Sequence, residues 1–347
     1  LVTGTMAAAH GGITRVACMP NTKPVIDSSI VVSGIQERAQ KEGYVHVEVI
    51  GAITKGEKGK ELSEMGDMAQ HGVMGFSDDG HYVSSAYVMN LAAQYVSAFD
   101  KPLICHDIDE EMNHEGFMHE GAVSARLGIP SIAEDICVAR DAAIAEYTGA
   151  HIHIAHIASK GAVDIVRQAK ARGVNITCEA TVHHLTLTDE ACAGYNTATR
   201  VSPPLRSWDH VEALRKGLKD GTIDAIVTDH APHAPEEKDV EFRYAPNGFC
   251  GLETSVGVVL TDLYHTGEFN EIVDKMSTSP ARIMDLDAGS LKVGRNADIT
   301  ILDLDREWTV DSEKFYTRGK VTPFDGKHCK GMAVATMVDG RFVMKDG

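Results

Sequence analysis

No stretch of this chain of 347 residues approaches the ~20 consecutive apolar residues that a membrane-spanning helix requires. Nor does any charged-then-apolar leader resemble a signal peptide. Positive charge is in deficit, with 33 Lys and Arg against 50 Asp and Glu for a net of −17. That balance argues against nucleic acid or an anionic membrane as partner and for a soluble protein. Cysteine is scarce and unpatterned, seven residues without a Cys-x-x-Cys pair. Cys18, Cys105 and Cys178 sit inside apolar, strand-like runs, so buried free thiols in a reducing cytoplasm are expected. Internal repeats, low-complexity segments and flexible linkers are also missing.

What is present fits a large α/β enzyme. The length accommodates a barrel of ~250 residues with a smaller appendage, and 43% of the residues are hydrophobic. Seventeen histidines are the one compositional hint of metal chemistry. The most informative stretch is Ala225–His233, Ala-Ile-Val-Thr-Asp-His-Ala-Pro-His. Its apolar start reads as a buried parallel strand, and Pro232 prevents continuation beyond Asp229, His230 and His233. A strand that ends in a carboxylate and imidazoles is where barrel enzymes place their chemistry.

Strands and helices alternate from the start. A helix under way at Leu1 ends near Gly11-Gly12, and Ile13–Met19 reads as a strand. Helix is expected at Ser29–Gly43, Glu61–His71, Ser85–Ala98, Ala133–Thr148, from Ser159 to about Gly173, and at His210–Gly221. Strand is expected at Val45–Ile53, Gly72–Phe76, Leu103–His106, His151–His156, Val174–Ala180 and Ile223–Asp229. Seven strands in such a series indicate a parallel α/β fold. A closed TIM-like (β/α)8 barrel has eight, so the chain reads as a barrel whose first strand is absent from this sequence. The pattern changes after Leu286, giving expected domains of 1–286 for the barrel and 287–347 for a small β segment. There Ala333–Val338, Asp339-Gly340 and Arg341–Met344 form a type I′ hairpin signal. Two such strands are marginal alone and need further cover.

Four strand ends carry ligand-type side chains: Asp79, His106, His156 and Asp229, separated by 27, 50 and 73 residues. A βα unit takes roughly 30 residues, so all four can point into one end of one barrel. Two imidazoles and two carboxylates suit zinc. Each signal also has a plainer reading. Asp78-Asp79-Gly80 is equally a turn, and a lone strand-end His is more often a hydrogen-bonded surface residue. His156 is favoured over His151 and His153 because it lies at the strand's C-terminal end. His183 and His184 lean to packing. His230 and His233 do not both read as ligands, and Pro232 makes a rigid substrate-contacting loop an equal alternative.

Over essentially its whole length the chain resembles the type I dihydroorotases of the amidohydrolase superfamily. The resemblance is carried by Met19-Pro-Asn-Thr-Lys-Pro, Gly75-Phe-Ser-Asp-Asp-Gly, Pro203-Pro-Leu-Arg, Thr228-Asp-His-Ala-Pro-His and Gly294-Arg-Asn-Ala-Asp-Ile-Thr. It implies two zinc ions per subunit, bridged by Asp79, with His106 and His156 on the second and Asp229 on the first. Asp229 would also shuttle the catalytic proton. Asn21 and His233 would contact the substrate carboxylate, and Ser202 and Gly248 the pyrimidine ring. The implied reaction is reversible closure of N-carbamoyl-L-aspartate to L-dihydroorotate in pyrimidine biosynthesis, by a cytoplasmic homodimer with aspartate transcarbamoylase as a possible partner.

Two features depart from the family pattern. The His-x-His pair and following Arg of the first barrel strand do not occur, which is read as truncation, and Ser202 replaces the usual Asn. Two rivals follow: a catalytically silent scaffold for aspartate transcarbamoylase, and a hydantoinase or allantoinase. The latter enzymes bridge their metals with a carboxylated Lys on the strand that here carries Asp79. No Lys lies between Gly72 and Tyr82, which favours the aspartate-bridged pattern.

Overall fold

Burial on both faces explains why the central strands are short and apolar. In the computed structural model, which describes residues 1–113, 116–121, 128–263 and 269–345, seven parallel strands follow one another in chain order. They are β1 (Arg15–Cys18), β2 (His46–Ala52), β3 (Gly75–Ser77), β4 (Leu103–Cys105), β5 (Ile152–Ile154), β6 (Ile176–Thr181) and β7 (Ala225–Val227). Every residue of β3, β4 and β5 is buried, as expected where helices cover a parallel sheet. The sheet curls in the TIM-like manner with helices around it.

The longer helices are α1 (Val2–His10), α2 (Ser29–Glu42), α3 (Met65–Gln70), α4 (Ala86–Val96), α5 (Ile132–Thr148), α6 (Lys160–Ala171), α7 (Trp208–Asp220) and α8 (Ser255–Asp262). Two show how local sequence sets their start. Ser85 Oγ accepts from Val88 N at 3.3 Å, and Ser159 Oγ accepts from Ala162 N at 2.9 Å, each satisfying an otherwise orphaned first-turn amide. From these caps, α4 buries Val88, Met89, Ala92, Ala93 and Val96, and α6 buries Ala162, Val163, Val166 and Ala169. Those spacings place one stripe of each helix against the sheet.

The C-terminal residues form an antiparallel sheet of β8 (Ile299–Thr309), β9 (His328–Val338) and β10 (Arg341–Lys345). Its hairpin turns at Asp339 (φ +47°) and Gly340 (φ +75°), the two positive dihedrals a type I′ turn demands. The third strand, β8, and helix α8 supply the cover that an isolated hairpin lacks. The contact with α8 is close because Gly257 faces Trp308 and Gly331 faces Leu260. At the N-terminal ends of β1 and β2, Arg15 and His46 reach Asp298 of the small sheet at 3.7 and 3.1 Å.

Several expected boundaries move. Residues 61–64 are not helical: Glu61 O accepts from Lys55 N and Ser63 N donates to Ile53 O, which holds this segment along the end of β2 until α3 begins at Met65. β9 starts five residues before the expected Ala333. Helices α8 and Ser279–Ile283 lie in a region where no element was expected. Of the seven thiols, all free, Cys18 is only partly buried and the other six are buried.

The α8 contact makes a direct prediction. A Cβ at Gly257 would come within 2.5 Å of Trp308 Cζ2, so Gly257→Val should destabilise the protein by about 1–3 kcal/mol. Gly4 has nothing within 4 Å of its missing Cβ, and Gly4→Ala should instead be neutral or stabilising by up to about 1 kcal/mol. Urea unfolding of the two variants beside wild type measures both signs.

Candidate metal centre

Parallel strands deliver the residues that follow them to a single rim, and that rim is acidic and imidazole-rich. β3 is followed by Asp78-Asp79, β4 by His106, β5 by Ala155-His156 and β7 by Thr228-Asp229. His106 Nδ1 and His156 Nε2 lie 2.9 Å apart, with the rings edge to face at 80°. Asp79 Oδ1 is 3.5 Å from His156 Nε2 and 3.9 Å from His106 Nδ1. Both histidines are buried. Asp229 lies partly exposed at the same rim, its charge acting on His156.

Local backbone strain aims two of these side chains. His156 has φ +34° and Asp229 φ +45°, conformations that cost a non-glycine residue about 1–3 kcal/mol and persist only where surroundings enforce them. After His156 the amides are held in succession, Ile157 N on Glu179 O and Ala158 N and Ser159 N on the Glu134 carboxylate. The turn therefore has no freedom to relax.

The adjacent aspartates divide their work. Asp78 is 2% exposed, and both its oxygens are committed to Thr54: Oδ1 to the backbone N–H at 2.9 Å, Oδ2 to the hydroxyl. Burial raises its carboxyl to about 6 despite those bonds. Asp79 faces the histidine pair and accepts from Asn21 Nδ2 at 3.2 Å. Burial opposes its charge, but the His156 hydrogen bond and the two imidazoles hold its carboxyl below the ordinary value.

The imidazoles are driven apart by the same physics. Burial, then the charge of His156, pushes His106 down to about 3. Burial also works against a charged His156, yet the bond to Asp79 and the charges of Asp229, Asp79 and Glu179 lift it to about 9. Asp229 is raised to about 6, chiefly by burial.

This arrangement fits a cation. The two ring nitrogens share a hydrogen bond at 2.9 Å, and Asp79 Oδ1 lies within 3.9 Å of both. His106 Nδ1, His156 Nε2 and Asp79 Oδ1 form a compact nitrogen/oxygen group of ligand atoms, of the borderline type that suits zinc.

The other residues singled out in the sequence take separate positions. His151 Nε2 and His153 Nδ1 both meet Thr177 Oγ1 at 2.8 Å. His184 bonds Thr181 Oγ1 and Pro203 O, and His183 packs edge-on against Phe249. His230 Nδ1 accepts from Gly251 N and Leu252 N at 3.1 and 3.3 Å, so it braces backbone. His233 Nε2 donates to Asn247 O at 2.8 Å. Gly248 has φ +108°, a Cβ there would lie 2.4 Å from that of Ala231, and its N–H donates to Arg200 O. Ser202 lies two residues beyond Arg200 in the same segment.

Sequence reasoning passed over Glu179. Its Oε2 lies 3.0 Å from His153 Nε2, and its charge acts on both His156 and Asp229. Its signal was available: a lone carboxylate inside the otherwise apolar Ile176–Ala180 run. Thr54, Glu134 and Arg206 were passed over as well, and no linear motif marks the first two.

Comparison with known proteins places the chain in a family. Residues 1–162 match the dihydro-orotase-like family and residues 207–344 the amidohydrolase family. A dihydroorotase of Pelotomaculum thermopropionicum is 51% identical over all of this chain and 82% of its own length. One from Geobacter sp. (strain M21) is 49% identical over all of this chain and 83% of its own. Among solved structures, the L-hydantoinase (dihydropyrimidinase) of Arthrobacter aurescens superposes with a TM-score of 0.90 at 25% identity, covering 100% of this chain and 80% of that one. A D-hydantoinase (dihydropyrimidinase) from Thermus sp. shares the fold at a TM-score of 0.83 and 23% identity, covering 99% and 80%. The chain belongs to the dihydroorotase family of the amidohydrolases and is a cyclic-amide hydrolase.

Proposed function

We propose that this enzyme interconverts L-dihydroorotate and N-carbamoyl-L-aspartate with zinc held at the rim described above. The observation that carries the reading is the convergence of Asp79, His106 and His156 from three strands onto one point, in a chain about half identical to dihydroorotases. Bound there, zinc supplies Lewis acidity, polarising an amide carbonyl and acidifying water.

The protein's own groups account for the remaining requirements. In the hydrolytic direction Asp229 accepts a proton from the attacking water at a carboxylate oxygen. It returns that proton to the ring nitrogen as the bond from carbonyl carbon to nitrogen breaks, serving as base and then acid. Asn21, already bonded to Asp79, and His233, fixed by Asn247 O, contact the substrate carboxylate. Gly248 lets the backbone approach the ring closely, and Ser202 offers one hydrogen bond from the neighbouring segment. Asp78, held by Thr54, positions Asp79 without taking part itself.

Three measurements test this. Asp229→Asn should lower turnover of dihydroorotate by about 10²–10⁴-fold if it carries the proton, and near-normal turnover with metal retained would end that assignment. His156→Ala should reduce zinc content measured by atomic absorption, and wild-type protein holding less than one zinc per subunit would favour a silent scaffold instead. Dihydroorotate should be turned over far faster than hydantoin or allantoin. The reverse order would move the protein to the hydantoinase side of the superfamily.

A further inference from the structure

Behind the metal-facing histidines lies a buried charge pair that none of the roles above uses. Arg206 is 2% exposed and Glu134 1%, and Arg206 Nη2 meets Glu134 Oε2 at 3.2 Å. Most of the other contacts of the pair go to backbone. Glu134 Oε1 accepts from Ala158 N at 2.6 Å and Ser159 N at 2.9 Å, the second and third amides after His156. Arg206 Nη1 donates to Ile129 O at 3.0 Å and meets His119 Nδ1 at 3.3 Å. Arg206 O in turn accepts from Asp189 N.

Burying two charges is costly unless geometry and additional hydrogen bonds compensate. A pair spent only on stability could be replaced by apolar side chains. This one is connected at both ends to segments that approach the candidate site. Glu134 clamps the turn leaving His156, whose backbone at φ +34° needs an external hold. Arg206 is four residues beyond Ser202 in the same loop, and Gly248 is bonded to Arg200 at that loop's start. His210 adds a parallel tie, its Nδ1 accepting from Lys160 N at 3.0 Å just beyond Ser159 while its ring packs against His119.

We infer that Arg206 and Glu134 are positioning residues: their buried pair sets the orientation of His156 toward the metal and joins that turn to the loop that borders the substrate. The role rests on the reading of His156 as a metal ligand given above. Neither residue touches substrate or metal, and both act through His156 and Ser202.

The test uses the full-length protein and the variants Glu134→Gln and Arg206→Lys, each of which preserves volume and part of the hydrogen bonding. Val88→Ala, in the core of α4 and without a hydrogen bond to either member of the pair, serves as a control that loses stability alone. Three readouts are compared: the thermal midpoint, zinc retention against a graded chelator, and KM and kcat for dihydroorotate. Loss of an outer group that orients a metal-ligating histidine lowers metal affinity by about 10–100-fold, and that is the effect expected for both variants, with KM raised as well. The control should melt earlier yet keep zinc as wild type does.

Should Glu134→Gln or Arg206→Lys misfold, Ser159→Gly, which leaves the charge pair intact but loosens the same turn, should produce the same zinc loss. Variants that melt earlier but hold zinc within twofold of wild type would overturn the inference and leave the pair a structural brace. Because chelator competition needs no substrate, wild-type protein that retained zinc but ignored dihydroorotate would overturn the functional reading while the positioning comparison still gave its answer.

Discussion

Two buried imidazole nitrogens 2.9 Å apart beside a carboxylate are the constraint on which the rest of this structure depends. The carboxylate in such a group is favoured by positive charge among its neighbours. The surrounding protein therefore holds these three side chains within a ligand's reach of one another. This accounts for the positive φ at His156 and Asp229, for the assignment of Asp78 to Thr54 so that Asp79 alone faces inward, and for the three consecutive tethered amides after His156.

The same constraint explains how charge is arranged around the rim. Carboxylates gather around the histidines: Asp79, Glu179 and Asp229 all act on His156, and Asp79 and Glu179 act on Asp229. An excess of negative charge in a low-dielectric rim is destabilising to the protein alone and favourable to a divalent ion. The guanidinium of Arg206 is paired with Glu134 and with none of these carboxylates. The segregation of these charges ties fold to chemistry: neutralising the rim internally would stabilise the chain and remove its affinity for metal.

Much of this was legible in the sequence because parallel α/β folds write their period plainly. Apolar runs closed by Asp or His marked the strand ends, and Ser159 marked its helix through the amide it caps. What stayed hidden depended on tertiary context. Ser255–Asp262, rich in β-branched residues, has no polar face to reveal a helix; its conformation is set by docking against β9 through Gly257 and Gly331. Residues 61–64 have helix-forming composition but are taken up by backbone bonds to Lys55 and Ile53. The choice between Asp78 and Asp79 was undecidable from a turn motif, since it turns on the position of Thr54, more than twenty residues earlier. Glu134 and Arg206 are far apart in the chain and meet only because α5 and the segment after β6 converge.

The C-terminal residues meet the rest of the chain in separate places. The strands of their sheet meet the barrel at the N-terminal ends of β1 and β2, through Arg15, His46 and Asp298, remote from the histidines. The connection between β8 and β9 runs elsewhere. Val321 O accepts from Cys250 N, the Glu253 carboxylate accepts from Tyr316 N, and Gly319 packs so close to Pro232, His233 and Cys250 that a Cβ would lie within about 3 Å of each. These contacts brace the two loops that carry His233 and Gly248. A segment whose composition marks it as an appendage thus forms the outer support of the wall proposed to hold the substrate, and Gly319 is small because two loops of the barrel must pass that close to it. The loops beyond β7 have little regular structure of their own, so their positions are fixed by this connection as much as by the barrel that they leave.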